Sequence, residues 1–429
     1  MQAKESFEKC FKGEMTPMNN LNSQIIFTKM GESVVKLMTS SKNAATLGMT
    51  AASKAALLGA MAGLVLVLGN ENVFATEPGN FTNQIAGATV GAPIAAAPPP
   101  GLFFNNSFVY LPMGTGNGNF NANAACAACS PQRYNGIADA VTLTWSTGLT
   151  FLGATYFPTI QSIGYQASSF STPFPPGGGV GASPIYGGTT MFQAGNVYVN
   201  PINLSWKIGS APLFINAGLG FVAPTGTTYA GALMPDFWTI RPHAAITYLG
   251  DDLNLTANFT YDINTASAGN TGAYQIIARA PTTPAFLSSL LTGPANPGRG
   301  FTSGDLLYVD LTATKRFGKW EVGPVGYIQY QTTNDSPGGV NPGNGAAWTC
   351  SQLTSAGLPS CGKSLNIGAG LLVGYNFGPV DMKLIYMNGF YTKDAIDAPT
   401  GSRIVLKTSF RLWAPDEASS PKKALYTKN

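Results

Sequence analysis

The sequence is short of charge and almost without histidine. Of its 429 residues, 10% are Asp, Glu, Lys or Arg, and one is histidine, His243. An ordinary soluble domain carries roughly 25% charge. With one imidazole and scattered carboxylates, donors for a metal site are scarce, and none is expected. The net charge is +4 and no basic cluster interleaves with aromatics, which sets nucleic acid aside as a partner. No P-loop, dinucleotide fingerprint or G-x-S-x-G elbow is present, so neither a cofactor nor a catalytic residue is expected. Long apolar runs are missing too. The longest, Ala55–Leu68, falls below the roughly 20 residues a membrane helix needs.

That run follows Lys54 and precedes Val73-Phe-Ala75. It reads as the core of a secretory signal with cleavage near Ala75/Thr76, within a leader of residues 1–75. The leader is long, so translation starts at Met30 or Met49, or the leader is merely extended. Cysteines are few. Cys10 lies in the leader, and the others form two local pairs, Cys126/Cys129 and Cys350/Cys361. In an exported chain these suggest loop disulfides; free thiols and a metal or redox role for Cys126-Ala-Ala-Cys129 are the alternatives.

Glycine (51) and proline (30) are abundant, and they punctuate strands. Between Leu102 and Trp413 twelve segments read as β-strands: 102–112, 137–147, 151–161, 195–207, 212–223, 237–249, 252–264, 305–316, 319–332, 364–377, 380–391 and 403–413. The gaps alternate in length. Short ones centre on Ser146–Gly148, Gly209–Pro212, Gly250–Asp252, Gly318–Lys319 and Gly378–Pro379. Long ones cover about 113–136, 162–194, 224–236, 265–304, 333–363 and 392–402. An even strand number with tight turns at one end and long loops at the other is the pattern of a transmembrane antiparallel up-and-down barrel of the bacterial outer membrane, with both termini periplasmic.

The strand interiors agree. In Asp252–Asn264, Leu253, Leu255, Ala257, Phe259, Tyr261 and Ile263 alternate with Asp, Asn and Thr. Period two gives two unlike faces. Trp145, Trp206, Trp320 and Trp413 fall at the short-turn ends, as an interfacial aromatic belt requires, which puts the apolar face outward against outer-membrane lipid. By phase, Lys207, Arg241, His243, Asp262, Asp310, Arg316, Glu321, Asp381, Lys383, Arg403, Lys407 and Arg411 then line the lumen. They either brace the wall in pairs or form a selective constriction. Pro158, Pro201, Pro242 and Pro324 mark bulges or strand starts. The stretch 76–101, ending in Pro98-Pro-Pro100, is a periplasmic lead-in or a plug; 414–429 is a disordered polar tail. The alternating final strand ending in Trp413 resembles the signal read by the barrel assembly machinery, although Ala414–Asn429 follows it.

Several motifs carry a family resemblance. Gly195-Asn-Val-Tyr-Val-Asn-Pro201, then Trp206, then Phe221-Val-Ala-Pro-Thr-Gly226 is similar to a "G-D-x-x-x-x-P … W … P-T-G" pattern. Ser303-Gly-Asp305, Asp310, Gly323-Pro-Val-Gly-Tyr327, Gln331-x-x-x-Asp335, Gly374-Tyr-Asn-Phe377 and Ser409-Phe-Arg-Leu-Trp413 fit the same group. Over roughly 195–413 the chain resembles the MetA-pathway family of phenol meta-cleavage degradation, departing from it at Asn196, where the family usually carries Asp. The resemblance implies an outer-membrane barrel passing aromatic or other hydrophobic compounds, similar in architecture to fatty-acid and toluene transport barrels. Phe170, Phe174, Tyr186 and Phe192 are candidate entry residues for such a solute. The other readings are a non-conducting surface barrel and a lipid-acting barrel enzyme, which needs a serine beside His243.

Overall fold

The alternation of side chains builds a wall with a greasy outside and a polar inside. The computed structural model describes residues 82–115, 133–171, 191–227, 234–267, 302–336, 363–393 and 399–415. Among these there are fifteen strands: β1 (Gly101–Thr115), β2 (Arg133–Ser146), β3 (Thr150–Phe151), β4 (Ala154–Tyr156), β5 (Thr159–Ser171), β6 (Met191–Ala194), β7 (Val197–Lys207), β8 (Leu213–Ala223), β9 (Thr239–Tyr248), β10 (Leu253–Asn264), β11 (Leu306–Phe317), β12 (Trp320–Gln331), β13 (Leu365–Asn376), β14 (Val380–Lys393) and β15 (Pro399–Trp413). All pairings are antiparallel, and β15 pairs back onto β1 from Leu102↔Trp413 to Thr115↔Pro399. With β3, β4 and β6 as extensions of longer neighbours, the result is a closed barrel of twelve walls. Among the described residues each of the twelve long strands pairs on both sides, which is the condition for a sheet to stand in lipid.

The faces are inverted relative to a soluble barrel. On β10, Asn254, Thr256, Asn258, Thr260 and Asp262 are buried, while the intervening residues lie on the outer face. Leu371 on β13 is 62% exposed, and Leu384, Phe390, Ile404 and Leu412 are exposed as well. A continuous apolar exterior of this kind belongs against acyl chains, which places the protein in the bacterial outer membrane. Trp145, Trp320 and Trp413 are about half exposed at the short-turn rim, and Trp206 near the end of β7 donates from Nε1 to Leu152 O. One acidic residue breaks the alternation. Asp139 is exposed on β2, where its Oδ1 accepts from Asn106 Nδ2 at 2.5 Å.

The third wall departs from expectation. In place of a strand over 151–161, the chain forms β4, steps at Phe157-Pro158, and continues as β5 to Ser171. Pro158 cannot donate to the ladder, so the strand divides there and the wall shifts toward the long loop. The β3–β4 hairpin turns at Leu152-Gly153, both with positive φ (51° and 76°). Pro201 lies at the register shift between Val199 and Ile202 of β7. Pro242 and Pro324 are not bulges or strand starts. They sit inside β9 and β12, and the ladders to β10 and β11 lapse beside them without a change of register.

The apolar exterior gives a direct test. Leu371→Arg, mid-strand on β13, is expected to cost about 2–4 kcal/mol in lipid vesicles, the price of a cation near the bilayer midplane. Arginine at the inward-facing Thr142 should cost clearly less. Equal losses in reversible denaturant unfolding would contradict the assignment of faces.

Candidate functional site: an occupied lumen

The interior of the barrel holds the chain's own segment Thr82–Pro100. Ile85, Ala86 and Val90 of this segment pack on inward-facing Val325, Tyr327, Leu372, Ile385, Met387 and Val405, forming a small apolar core inside the wall. These wall residues share the phase of the charged positions. Their signal in the sequence is the apolar residue interrupting an otherwise polar inner face, as Val405 does between Arg403 and Lys407. The segment turns at Gly87 and Gly91, both at φ +81°. A Cβ at Gly91 would sit 2.5 Å from Leu372 Cδ1, and one at Gly87 would sit 2.9 Å from Met387 Cε. Glycine is required at both positions by backbone conformation and by close approach.

The wall holds this segment by its backbone. Asp310 accepts from Gly87 N (2.9 Å), Thr89 N (2.8 Å) and Thr89 Oγ1 (2.6 Å). Thr312 Oγ1 accepts from Gly91 N at 2.7 Å. On β15 the inward cations reach segment carbonyls. Arg403 donates to Ala86 O, and also to Tyr327 Oη at 2.9 Å while stacking on that ring at 4.4 Å. Lys407 Nζ donates to Ala88 O (2.6 Å) and Val90 O (2.8 Å). Arg411 donates to Pro100 O. From β14, Lys383 Nζ donates to Gly91 O at 2.6 Å. Ser205 Oγ donates to Ala95 O (2.6 Å) and Ser146 Oγ to Pro98 O (2.7 Å). Charge-assisted bonds of this kind are stronger than neutral ones, and at the buried Ala86 and Val90 they satisfy carbonyls that would otherwise lack donors.

The remaining lumenal charges pair within the wall. Arg241 and Asp262 form a two-pronged bridge (Nε–Oδ1 2.6 Å, Nη2–Oδ2 2.7 Å), with Arg241 also 4.9 Å from the Tyr198 ring. The pair spans β9 and β10 where the backbone ladder lapses at Pro242, so side chains join the strands there. Glu321 lies 3.0 Å from Lys383 and 3.4 Å from Arg316, and Asp381 lies 3.6 Å from Lys383. Lys207 is exposed at the end of β7. His243 Nε2 faces Asn203 Oδ1 at 3.3 Å. The hydrogen-bond partner of this histidine among the described residues is therefore an amide, not the serine that hydrolase chemistry requires.

Beside the segment runs a cavity of about 390 Å³. Its floor is the segment itself, its far wall is β1, β2, β5 and β7, with Ser107, Ala140, Thr142, Thr144, Gln161 and Asn200 among the lining residues, and Arg241, His243, Asp381, Lys383, Arg403 and Lys407 border it on the side of β9, β14 and β15. The far wall is uncharged for a sequence reason: no Asp, Glu, Lys, Arg or His occurs between Asp139 and Lys207. Phe170 lies in β5 and Phe192 in β6. Phe174, Tyr186 and the cysteines Cys126, Cys129, Cys350 and Cys361 lie outside the described residues.

Fold and lumen together define an outer-membrane barrel whose interior is occupied by its own segment, with a cavity beside it. The chain belongs to the family described as "Putative MetA-pathway of phenol degradation", which matches residues 112–351. Among solved structures, the COG4313 outer membrane channel from Pseudomonas putida F1 is similar at 10% identity, covering 74% of this chain and 97% of that one with a TM-score of 0.47. The Pseudomonas putida toluene transporter TodX is similar at 10% identity, covering 79% and 99%, TM-score 0.33. The outer membrane phospholipase A from Escherichia coli is similar at 8% identity, covering 76% and 99%, TM-score 0.29. No curated protein matches the sequence.

Removing one member of the Arg241–Asp262 pair leaves a buried charge without its partner. Arg241→Met is expected to destabilise the barrel by about 3–5 kcal/mol, and Arg241→Met with Asp262→Leu by markedly less. A double-mutant cycle in urea unfolding checks the coupling.

Proposed function

We propose that the protein is an outer-membrane channel for passive uptake of small hydrophobic or aromatic compounds, working in phenol catabolism as its family's description suggests. The observation that carries this reading is the cavity along the uncharged wall. A neutral solute moving beside Thr142, Thr144 and Gln161 meets hydroxyls, amides and methyl groups, and sheds little hydration to do so. A charged solute would lose hydration on that side without gaining an opposite charge. The short-turn rim faces the periplasm in this reading, and the long loops gather solute outside. The role is transport rather than catalysis. Lipid surrounds the barrel, and the assembly machinery reads the final strand.

A second reading is favoured by the filled lumen: a barrel that conducts nothing and displays its loops. The two separate in one experiment. Cells supplied with low concentrations of phenol or toluene should take it up severalfold faster with this chain than without it. Ala140→Trp, which fills the cavity without touching the segment's hydrogen bonds, should remove most of that gain while leaving heat-modifiable migration of the folded barrel intact. Uptake indifferent to both the chain and Ala140→Trp would favour the display barrel.

A further inference from the structure

The lumen is divided by charge. The charged residues of the inner face of β9–β15 lie on one side, and on the other lies a wall of β1, β2, β5 and β7 that carries no charged residue between Asp139 and Lys207. The segment Thr82–Pro100 lies along the charged side. Three of the cations it meets, Arg403, Lys407 and Arg411, have segment carbonyls as their partners, and Arg403 is 1% exposed. One carboxylate, Asp310, is likewise taken up by segment donors. Lys383 is shared between Gly91 O, Glu321 and Asp381.

We infer that the segment Thr82–Pro100 determines which solutes the cavity admits, by engaging the cations of β14 and β15 with its own carbonyls so that a passing anion meets a weakened attraction there. The inference deepens the channel reading and rests on it for the cavity's role as a path. A guanidinium or ammonium turned to backbone carbonyls has fewer donors left for a carboxylate or chloride, and the carbonyl dipoles offset part of the field that would attract one. With the segment seated, Arg241, Lys383, Arg403 and Lys407 still border the cavity, but each is already turned to a carboxylate or a segment carbonyl, and the opposite wall offers an anion hydroxyls and amides. With the segment unseated, three cations stand free against one carboxylate, and the bare lumen favours anions. The segment is thus a fixed filter, written into the chain itself, that keeps a basic barrel from acting as an anion pore.

The test is ion selectivity in planar bilayers under a potassium chloride gradient, with the full chain and three variants. Gly87→Val with Gly91→Val keeps the chain length but puts side chains where Met387 and Leu372 stand, and so lifts the segment from its seat. Deletion of residues 82–98 removes the segment by a second route, should the valine variant fail to fold. Arg403→Met and Lys407→Met, added to whichever variant inserts, identify the source of any preference. The intact chain should show little anion preference, or carry no current. The unseated variants should prefer chloride over potassium by roughly threefold or more, and the added methionines should bring that ratio back toward unity. An intact chain as anion-selective as the unseated ones would overturn the inference, as would unseated pores that are unselective, cation-selective or closed. Failure of aromatic uptake, with this selectivity shift intact, would instead count against the transported solute class alone.

Discussion

The rest of the structure depends on one pairing, that of β15 with β1. Acyl chains offer no hydrogen bonds, so a sheet in lipid must leave no backbone edge unpaired. The register from Leu102↔Trp413 to Thr115↔Pro399 meets that demand and fixes everything inside. Once the cylinder closes, alternate side chains have only two destinations. Leu371, Leu384 and Phe390 go to lipid; Asn254, Asp310 and Arg403 go to the interior. Charge that could have been solvated on a soluble protein is instead concentrated in a narrow lumen.

That concentration has to be resolved, and the chain resolves it in two ways. Arg241–Asp262 and the Glu321–Lys383–Arg316 group pair within the wall. Arg403, Lys407, Arg411 and Asp310 are answered by a peptide backbone, which offers carbonyls to cations and amides to a carboxylate. A segment rich in Ala, Gly and Pro suits this task, because small side chains let its backbone approach the wall closely. Gly87 and Gly91 are the points where approach is tightest. What remains beside the segment is a cavity between these engaged charges and the wall that carries none.

Much of the fold was legible in the sequence. Period-two alternation in Asp252–Asn264, and the short turns at Gly250–Asp252, Gly318–Lys319 and Gly378–Pro379, reflect forces that act locally on the pleat and on positive φ. The third wall was less legible: Pro158 splits it, and a proline's effect depends on the strand opposite. Pro242 and Pro324 read as bulges or strand starts, yet they sit inside strands, because the pairs on either side hold the register past them, joined at Pro242 by the Arg241–Asp262 bridge.

The sequence by itself determined the strands, their two faces, the tryptophans at one rim and the uncharged stretch between Asp139 and Lys207, all consequences of short-range order along one chain. Tertiary structure decided what fills the cylinder. That Lys407 meets Ala88 and Val90, more than three hundred residues earlier, follows from closure and from the electrostatic demand of buried cations. Neither is written in any local pattern, since the segment's part in it is played by its backbone, which every sequence shares.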